Sequence, residues 1–429
     1  EIEMQTEELD RKYPGLLAVR EALEERRAAM AASMLETRAL STPRRRASEP
    51  EVEYCFVLDE KAIEYCGTLC AEVLAAVGNG SRSVVACRAR KDQKAQMLNL
   101  IREGVPGSCC LAIGDGANDV AMIKAGHVGV GIIGKEGMQA VNNSDFAIGQ
   151  FSFLRGLLLS HGRYNYRRMA IFTYYMFYKN VANVMCMWFY SLLCLASSTR
   201  YFITAYIEVY NIMFTALPII IFGFNDQDVP KAEAALAPRL YTAGIRRIYF
   251  THAGFWRWMV EAFVTALLIA YIPVGGLGWG AASLADPELG DTGVYSYSFV
   301  SMSLVCVCMN LRLALEMHSW GKLEHLFMWG TITVFELVFL FFCTVPTFSF
   351  LETSTYNWNT MLYVMPTLYT QPAFWFTMVL TIALALFPRF VGKATHALQE
   401  LTPAKRVLRE IAANNRRAQS RLRRSVEIA

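Results

Sequence analysis

Residues 110–126 read CLAIGDGANDVAMIKAG. A short apolar run meets two glycines, two aspartates and an asparagine, and a helix-forming stretch follows. The pattern predicts a buried parallel strand over CCLAI, a tight turn at Gly114–Gly116, and a helix opening near ANDVAMIKAG. Glycines let a turn approach a ligand closely, and ligands of open α/β sheets sit at the carboxyl ends of strands, where this turn lies. Asp115 and Asp119 are four residues apart with Asn118 between them, a spacing that lets their side chains converge at one helix end. Two carboxylates and an amide suit a hard divalent cation, and Mg²⁺ beside a phosphate is the usual partner. A tight turn in which Asn or Asp caps a helix is the alternative.

Working outward, YCFVL, SVVACR, HVGVGI and DFAIG also predict strands, and DEKAIEYCGTLCAEVLAAV and RKDQKAQMLNLIREG predict helices between them. Strands alternating with helices argue for a parallel, doubly wound sheet over residues 53–150. In ACRARKDQKAQM a strand ends and a helix opens, so Arg88 and Lys94 are candidates to reach the same sheet edge and neutralise phosphate oxygens. By themselves they equally suit a solvated basic helix face.

The rest of the chain is of another kind. The 429 residues are 54% hydrophobic and only 18% charged, against about 25% charged in ordinary soluble domains. The charges gather before about residue 170 and after about residue 390. Apolar segments at 170–196, 201–224, 251–273, 294–315, 325–346 and 362–387 each approach or exceed the roughly 20 residues that cross a bilayer. Six crossings are therefore expected over 170–390, preceded by a stalk helix at 151–169 and followed by a basic tail at 391–429. The connections at 225–250 and 312–324 carry Lys231, Arg239, Arg246, Arg247, Arg312 and Lys322, whereas 274–293 and 347–360 carry only acids. The positive-inside rule then places the first pair of connections and both ends of the chain in the cytosol, with Arg200 the one exception. The tail suits an anionic leaflet or the soluble region, and equally a plain charged tail.

A net charge of +4 gives nucleic-acid binding no support. Eleven cysteines without a CxxC pair read as reduced structural thiols, with Cys109 and Cys110 in a strand. Residues 1–52 form a charged linker in which Arg44–Ser48 offers a site for a basic-directed kinase or simply a solvated loop. Lys179 and Asn180 fall inside the first apolar segment. An ionisable residue within a span is costly and a functional candidate, unless it snorkels to an interface. Pro218 is expected to interrupt the second segment and free backbone groups. Tyr174, Tyr175, Tyr178 and Tyr210 suit packing or a groove, and Glu208, Glu261 and Glu336 are further acids in or near the spans.

The basic motif followed by the knot, in this order, resembles the phosphorylation domain of P-type ATPases, of the haloacid-dehalogenase-like fold. The run GDGANDVAMIKAGHVGVGIIGKEGMQAVNNSDFAIGQFSFLRGLLLSHGRYNYRRM, with YYMFYKN and YNIMFTALP, resembles the type IV subfamily, the phospholipid flippases. The resemblance implies Mg²⁺ binding by Asp115 and Asp119, nucleotide and phosphate contacts by Asn118 and Asp119, and a flanking basic pair in Arg88 and Lys94. It implies that Lys94 stabilises charge on the transferring phosphoryl group, with ATP as co-substrate. Lys179, Asn180 and Asn211 would lie by the lipid head-group path. A two-span glycosylated accessory subunit and a plasma, Golgi or endosomal membrane are also implied. The chain departs from the pattern where Arg90-Lys91-Asp92 replaces a Ser/Thr-Pro pair.

No D-K-T-G-T stretch occurs; Asp59-Glu60-Lys61-Ala62 is a distant echo in another context. The expectation is the carboxy-terminal part of an ATP-driven flippase, inactive alone, with the phosphorylated aspartate outside the chain. Two alternatives stand beside it. One is a non-catalytic scaffold from a truncated flippase gene. The other is a membrane-anchored phosphatase of the same fold, which requires an N-terminal D-x-D nucleophile motif on the first strand, where none is present.

Overall fold

The computed structural model describes residue 25 and residues 55–134, 137–196, 201–277, 294–345 and 363–399. Apart from residue 25, the linker at 1–52 lies outside the described residues, as do Arg200, Asp286, Glu288, Asp291, Glu352 and the tail beyond residue 399. The chain divides into two compact units, the first ending at Leu154 and the second starting at Arg155.

In the first unit the elements run β1 (Cys55–Leu58), α1 (Glu60–Leu69), α2 (Ala71–Gly80), β2 (Ser83–Ala86), α3 (Lys91–Gly104), β3 (Leu111–Gly114), α4 (Val120–Ala125), β4 (Val128–Ile132), α5 (Gln139–Asn142) and β5 (Phe146–Ile148). All five expected strands form, and every ladder is parallel. They make two sheets among the described residues, β1-β2 and β3-β4-β5, where the alternating pattern predicted one. Alternation sets strand direction and helix placement, but it carries no information about which edges meet. Strand β3 also starts later than expected. The Cys110 amide donates to the His127 imidazole at 3.0 Å rather than to a strand.

Helices α1 and α2 bury Ile63, Cys66, Cys70, Val73, Leu74 and Val77 together with Leu58 of β1. Burial first, then the neighbouring Cys70 and Asp59, push the Cys66 thiol up to about 11, so it packs as an inert apolar group. All eleven cysteines are free, and six are buried. Asp59 caps α1, its carboxylate accepting from the Ala62 amide at 2.8 Å.

The second unit is helical: α6 (Arg163–Leu193), α7 (Thr204–Val209), a π-turn at Tyr210–Phe214, α8 (Ala216–Asn225), α9 (His252–Gly276), α10 (Val294–Ala314), α11 (Lys322–Thr344), α12 (Val364–Thr370) and α13 (Pro372–Gln399). Five stretches among the described residues are long and apolar enough to cross a membrane: Tyr206–Asn225, His252–Gly276, Tyr295–Ala314, Lys322–Thr344 and Pro372–Thr395. Helix α6 covers the remaining expected crossing with 31 residues. It is not among those five, and its sequence mixes Lys179, Asn180 and Asn183 with the apolar residues. The last expected segment breaks at Gln371 and resumes at Pro372, eight residues after α12 starts.

Apolar faces are turned outward, as suits lipid: Trp256, Val260, Phe376, Val379 and Phe387 are exposed. Helix α10 is the exception. Its apolar window is 78% buried, and it carries the buried Ser296, Ser298, Ser301 and Ser303, small residues that let neighbouring helices come close. It is the central helix, and its polar groups need partners from the others. Tyr201 and Ser301 bond at 2.5 Å, and Ser298 donates to the Tyr201 carbonyl.

Candidate functional site

The knot in the first unit is built by the exit from β3. Residues Ala117–Asp119 form a 3₁₀ turn before α4, which swings Asp119 inward while Asp115 and Asn118 stay exposed. Asp119 is 7% exposed. Its Oδ1 accepts from Lys94 Nζ at 2.7 Å and its Oδ2 from the Asp115 amide at 3.3 Å. Gly114 is required here by contact: a Cβ on it would lie 2.2 Å from Asp119 Cβ. Gly134 backs the same turn, where a Cβ would sit 3.1 Å from the Asp115 carbonyl oxygen.

Helix α3 brings Lys94 to the knot, and the way its start is held explains the unusual Arg90-Lys91-Asp92. The Arg90 amide donates to Gln93 Oε1 at 3.0 Å, which caps the helix without Ser or Thr. The Arg90 guanidinium pairs with Glu60 at 2.9 Å and Glu64 at 3.1 Å on α1. The buried Gln93 also donates to the Glu60 carbonyl at 3.0 Å. The charged triplet thus ties α3 to α1. Arg88 is exposed, with φ 54 in the left-handed region; it is not drawn to the aspartates.

The donor set fits a Mg²⁺ ion. Asp115 offers an exposed carboxylate, and each Asp119 oxygen keeps a lone pair beyond its present bond. Mg²⁺ typically takes one or two carboxylates and completes its shell with waters and phosphate oxygens. Among the described residues no group of three or more His, Cys, Asp or Glu forms a cage, so the turn suits a cation shared with a phosphate rather than a closed structural site.

In the second unit the sequence candidates separate. Lys179 is 1% exposed. Its ammonium donates to Thr215 Oγ1 at 2.7 Å and stands 5.9 Å from the Tyr210 ring centre. The Tyr210 hydroxyl donates to the Lys179 carbonyl at 3.2 Å, and Thr215 Oγ1 donates to the Tyr210 carbonyl at 3.0 Å. The interruption foreseen from Pro218 is the π-turn that makes this possible. Asn180 instead bonds the Met176 carbonyl of its own helix at 2.9 Å, and Asn211 is exposed.

Sequence reasoning missed Thr215, whose signal was a polar residue three positions before Pro218. It also missed Asn183, buried on α6 and accepting from the Tyr206 hydroxyl at 3.4 Å.

It missed a larger feature as well. Arg312, counted as a loop charge, is buried in the last turn of α10. It pairs with Glu261 at 2.7 Å and Glu316 at 2.6 Å and lies 3.8 Å from the Trp258 ring centre. Arg389 and Lys393 also reach Glu316, at 2.6 Å and 3.7 Å respectively. Burial alone would raise the Glu316 carboxyl; Arg312, Arg389 and Lys393 outweigh it and hold the group at about 2. Nearby, Arg167 pairs with Asp226, and Arg163 with Asp228 at 2.5 Å.

A bundle of helices long and apolar enough to cross a membrane, with a buried lysine at a broken span, and a parallel-sheet unit bearing an aspartate-rich turn define an integral membrane protein. Residues 141–400 match the family described as phospholipid-translocating P-type ATPase C-terminal, and the chain belongs to that family. It is 34% identical over 333 residues to phospholipid-transporting ATPase ID of Homo sapiens, covering 76% of this chain and 26% of that protein. Phospholipid-transporting ATPase 10 of Arabidopsis thaliana is 32% identical over 342 residues, covering 80% of this chain and 28% of that protein. The chain thus spans about a quarter of the length of these relatives.

Proposed function

We propose that this chain is the carboxy-terminal part of an ATP-driven flippase that moves phospholipid from the exoplasmic to the cytosolic leaflet through a Mg²⁺-dependent phosphoenzyme. The observation that carries the reading is the contact between Lys94 and Asp119 at 2.7 Å, at a glycine turn on the carboxyl end of a parallel strand. The first unit is then part of a haloacid-dehalogenase-like phosphorylation domain, 53–150, with a stalk at 151–169. The second holds six spans within 170–390, α6 being the first. Both ends of the chain and the tail at 391–429 face the cytosol.

In this reading Asp115 and Asp119 hold the cation, and Asn118 and Asp119 contact nucleotide and phosphate. Bound Mg²⁺ neutralises phosphoryl oxygens. Lys94 supplies positive charge at the position where the transferring group's negative charge grows, and the carboxylate of Asp119 keeps its ammonium aimed there. Arg88, exposed just after β2, is the second member of the basic pair that contacts phosphate in this reading. The phosphorylated aspartate belongs to a part of the protein outside this chain, so the chain alone forms no phosphoenzyme. The buried Lys179 ammonium, without an acidic partner among the described residues, attracts a phosphate head group. Asn180 and Asn211 stand on the same two spans. A two-span accessory subunit and a plasma, Golgi or endosomal location follow from the family alone.

Labelling with ATP tests the reading. In the intact ATPase carrying this sequence, Asp119→Asn should lower Mg²⁺-dependent phosphoenzyme severely, while normal labelling refutes the assignment. Phosphoenzyme formed by residues 1–429 alone would refute the placement of the nucleophile.

A further inference from the structure

Pro218 has no amide hydrogen, so the carbonyl four residues before it, that of Phe214, loses its main-chain donor. Phe214 is buried in the bundle, and water cannot replace that donor cheaply. The donor comes from a different span. Asn310, on the central helix α10, donates Nδ2 to the Phe214 carbonyl at 3.1 Å and to the Cys306 carbonyl at 2.9 Å. Two carbonyl partners on one side fix which end of the amide is nitrogen. Asn310 is fully buried, and its Oδ1 has no partner. An unpaired buried acceptor is costly, so a pure packing role would be better met by an apolar residue. Its presence is explained by the carbonyl it serves.

Phe214 is the last residue of the π-turn Tyr210–Phe214, and the next residue, Thr215, is the one that bonds Lys179. We propose that Asn310 is a positioning residue for the Lys179 site. It replaces the donor that Pro218 withholds and so holds the turn that presents Thr215 to the lysine ammonium. The lipid consequence rests on Lys179 lying on the lipid path; the geometric claim does not.

The two parts separate experimentally. Hydrogen exchange of the 210–219 amides, measured on the full chain in lipid nanodiscs, reads the turn. Asn310→Ala should accelerate that exchange by at least tenfold. Asn310→Ala combined with Pro218→Ala should restore protection, because residue 218 then supplies its own amide. Should Asn310→Ala alone fail to fold, recovery of folded protein by the double variant supports the proposal equally. Unchanged exchange in Asn310→Ala, or no recovery in the double variant, overturns it. In the intact ATPase, Asn310→Ala should raise the half-saturating phospholipid concentration about tenfold and leave phosphorylation by ATP intact. Altered exchange with unchanged lipid dependence would refute the lipid-path reading of Lys179 while leaving the positioning role standing.

Discussion

Lys94 and Asp119 lie 25 positions apart in sequence and meet at 2.7 Å, the lysine arriving from α3 and the aspartate from the turn after β3. The Lys94 side chain is 36% exposed and that of Asp119 only 11%. The ammonium therefore keeps one side free for a ligand while the carboxylate holds the other.

Replacing Lys94 by Ala should lower the rate of phosphoenzyme formation by about 100-fold or more, the usual cost of losing one preorganised charge at a transferring group. Lys94→Arg should rescue only partly, since a planar guanidinium does not occupy the same point. Rapid-quench labelling of the intact ATPase with ATP measures both. A Lys94→Ala protein that labels at the normal rate removes the lysine from the chemistry.

Gly114→Ala should displace Asp119, because the added methyl would stand 2.2 Å from its Cβ. Overpacking of this kind costs about 1–3 kcal/mol. The expected result is a lower melting temperature together with a weaker Mg²⁺ dependence of labelling. Gly137→Ala is a useful contrast. No atom lies within 4 Å of its Cβ position, so the cost there comes from its φ of 121 rather than from the knot.

Lys179→Ala removes a buried cation whose hydrogen-bond partner is Thr215. Charge-assisted bonds of this sort contribute about 1.5–3 kcal/mol, so the phospholipid concentration for half-maximal ATPase stimulation should rise about 10- to 100-fold. Phosphorylation by ATP should stay near normal. Titration with defined phospholipids in detergent separates the two quantities.

Glu316 gives a pH prediction. Its carboxyl falls from the ordinary 4.5 to about 2 in the folded chain. The stabilisation is fully present above pH 4.5 and is lost as pH falls toward 2, amounting to about 3 kcal/mol. Melting temperature should thus fall through that window in detergent. Glu316→Gln should flatten the fall and cost about 3–5 kcal/mol at neutral pH, since Arg312 would lose its 2.6 Å partner. A variant that melts like the parent would contradict the network.

Much of this molecule was legible in local pattern. The five strands come from apolar runs bounded by glycine and charge. The long apolar helices follow from the cost of hiding polar backbone in lipid, which selects length and composition within one continuous stretch. The aspartates of GDGAND announced a ligand turn because their spacing is itself local. What spacing misjudged was Arg312, because a positive charge after an apolar run reads as a loop charge until Glu261 and Glu316 are seen beside it.

By itself the sequence determined the class: a parallel-sheet unit with an aspartate-glycine turn, joined to apolar helices with a lysine inside one of them. Tertiary structure alone decided that Asp119 faces inward and Asp115 outward, that Lys94 arrives and Arg88 does not, and that Thr215 rather than Asn180 or Asn211 meets Lys179. The reason is physical. Each of these outcomes depends on which side chains cross between elements far apart in the chain, and periodicity within one element does not encode its neighbours.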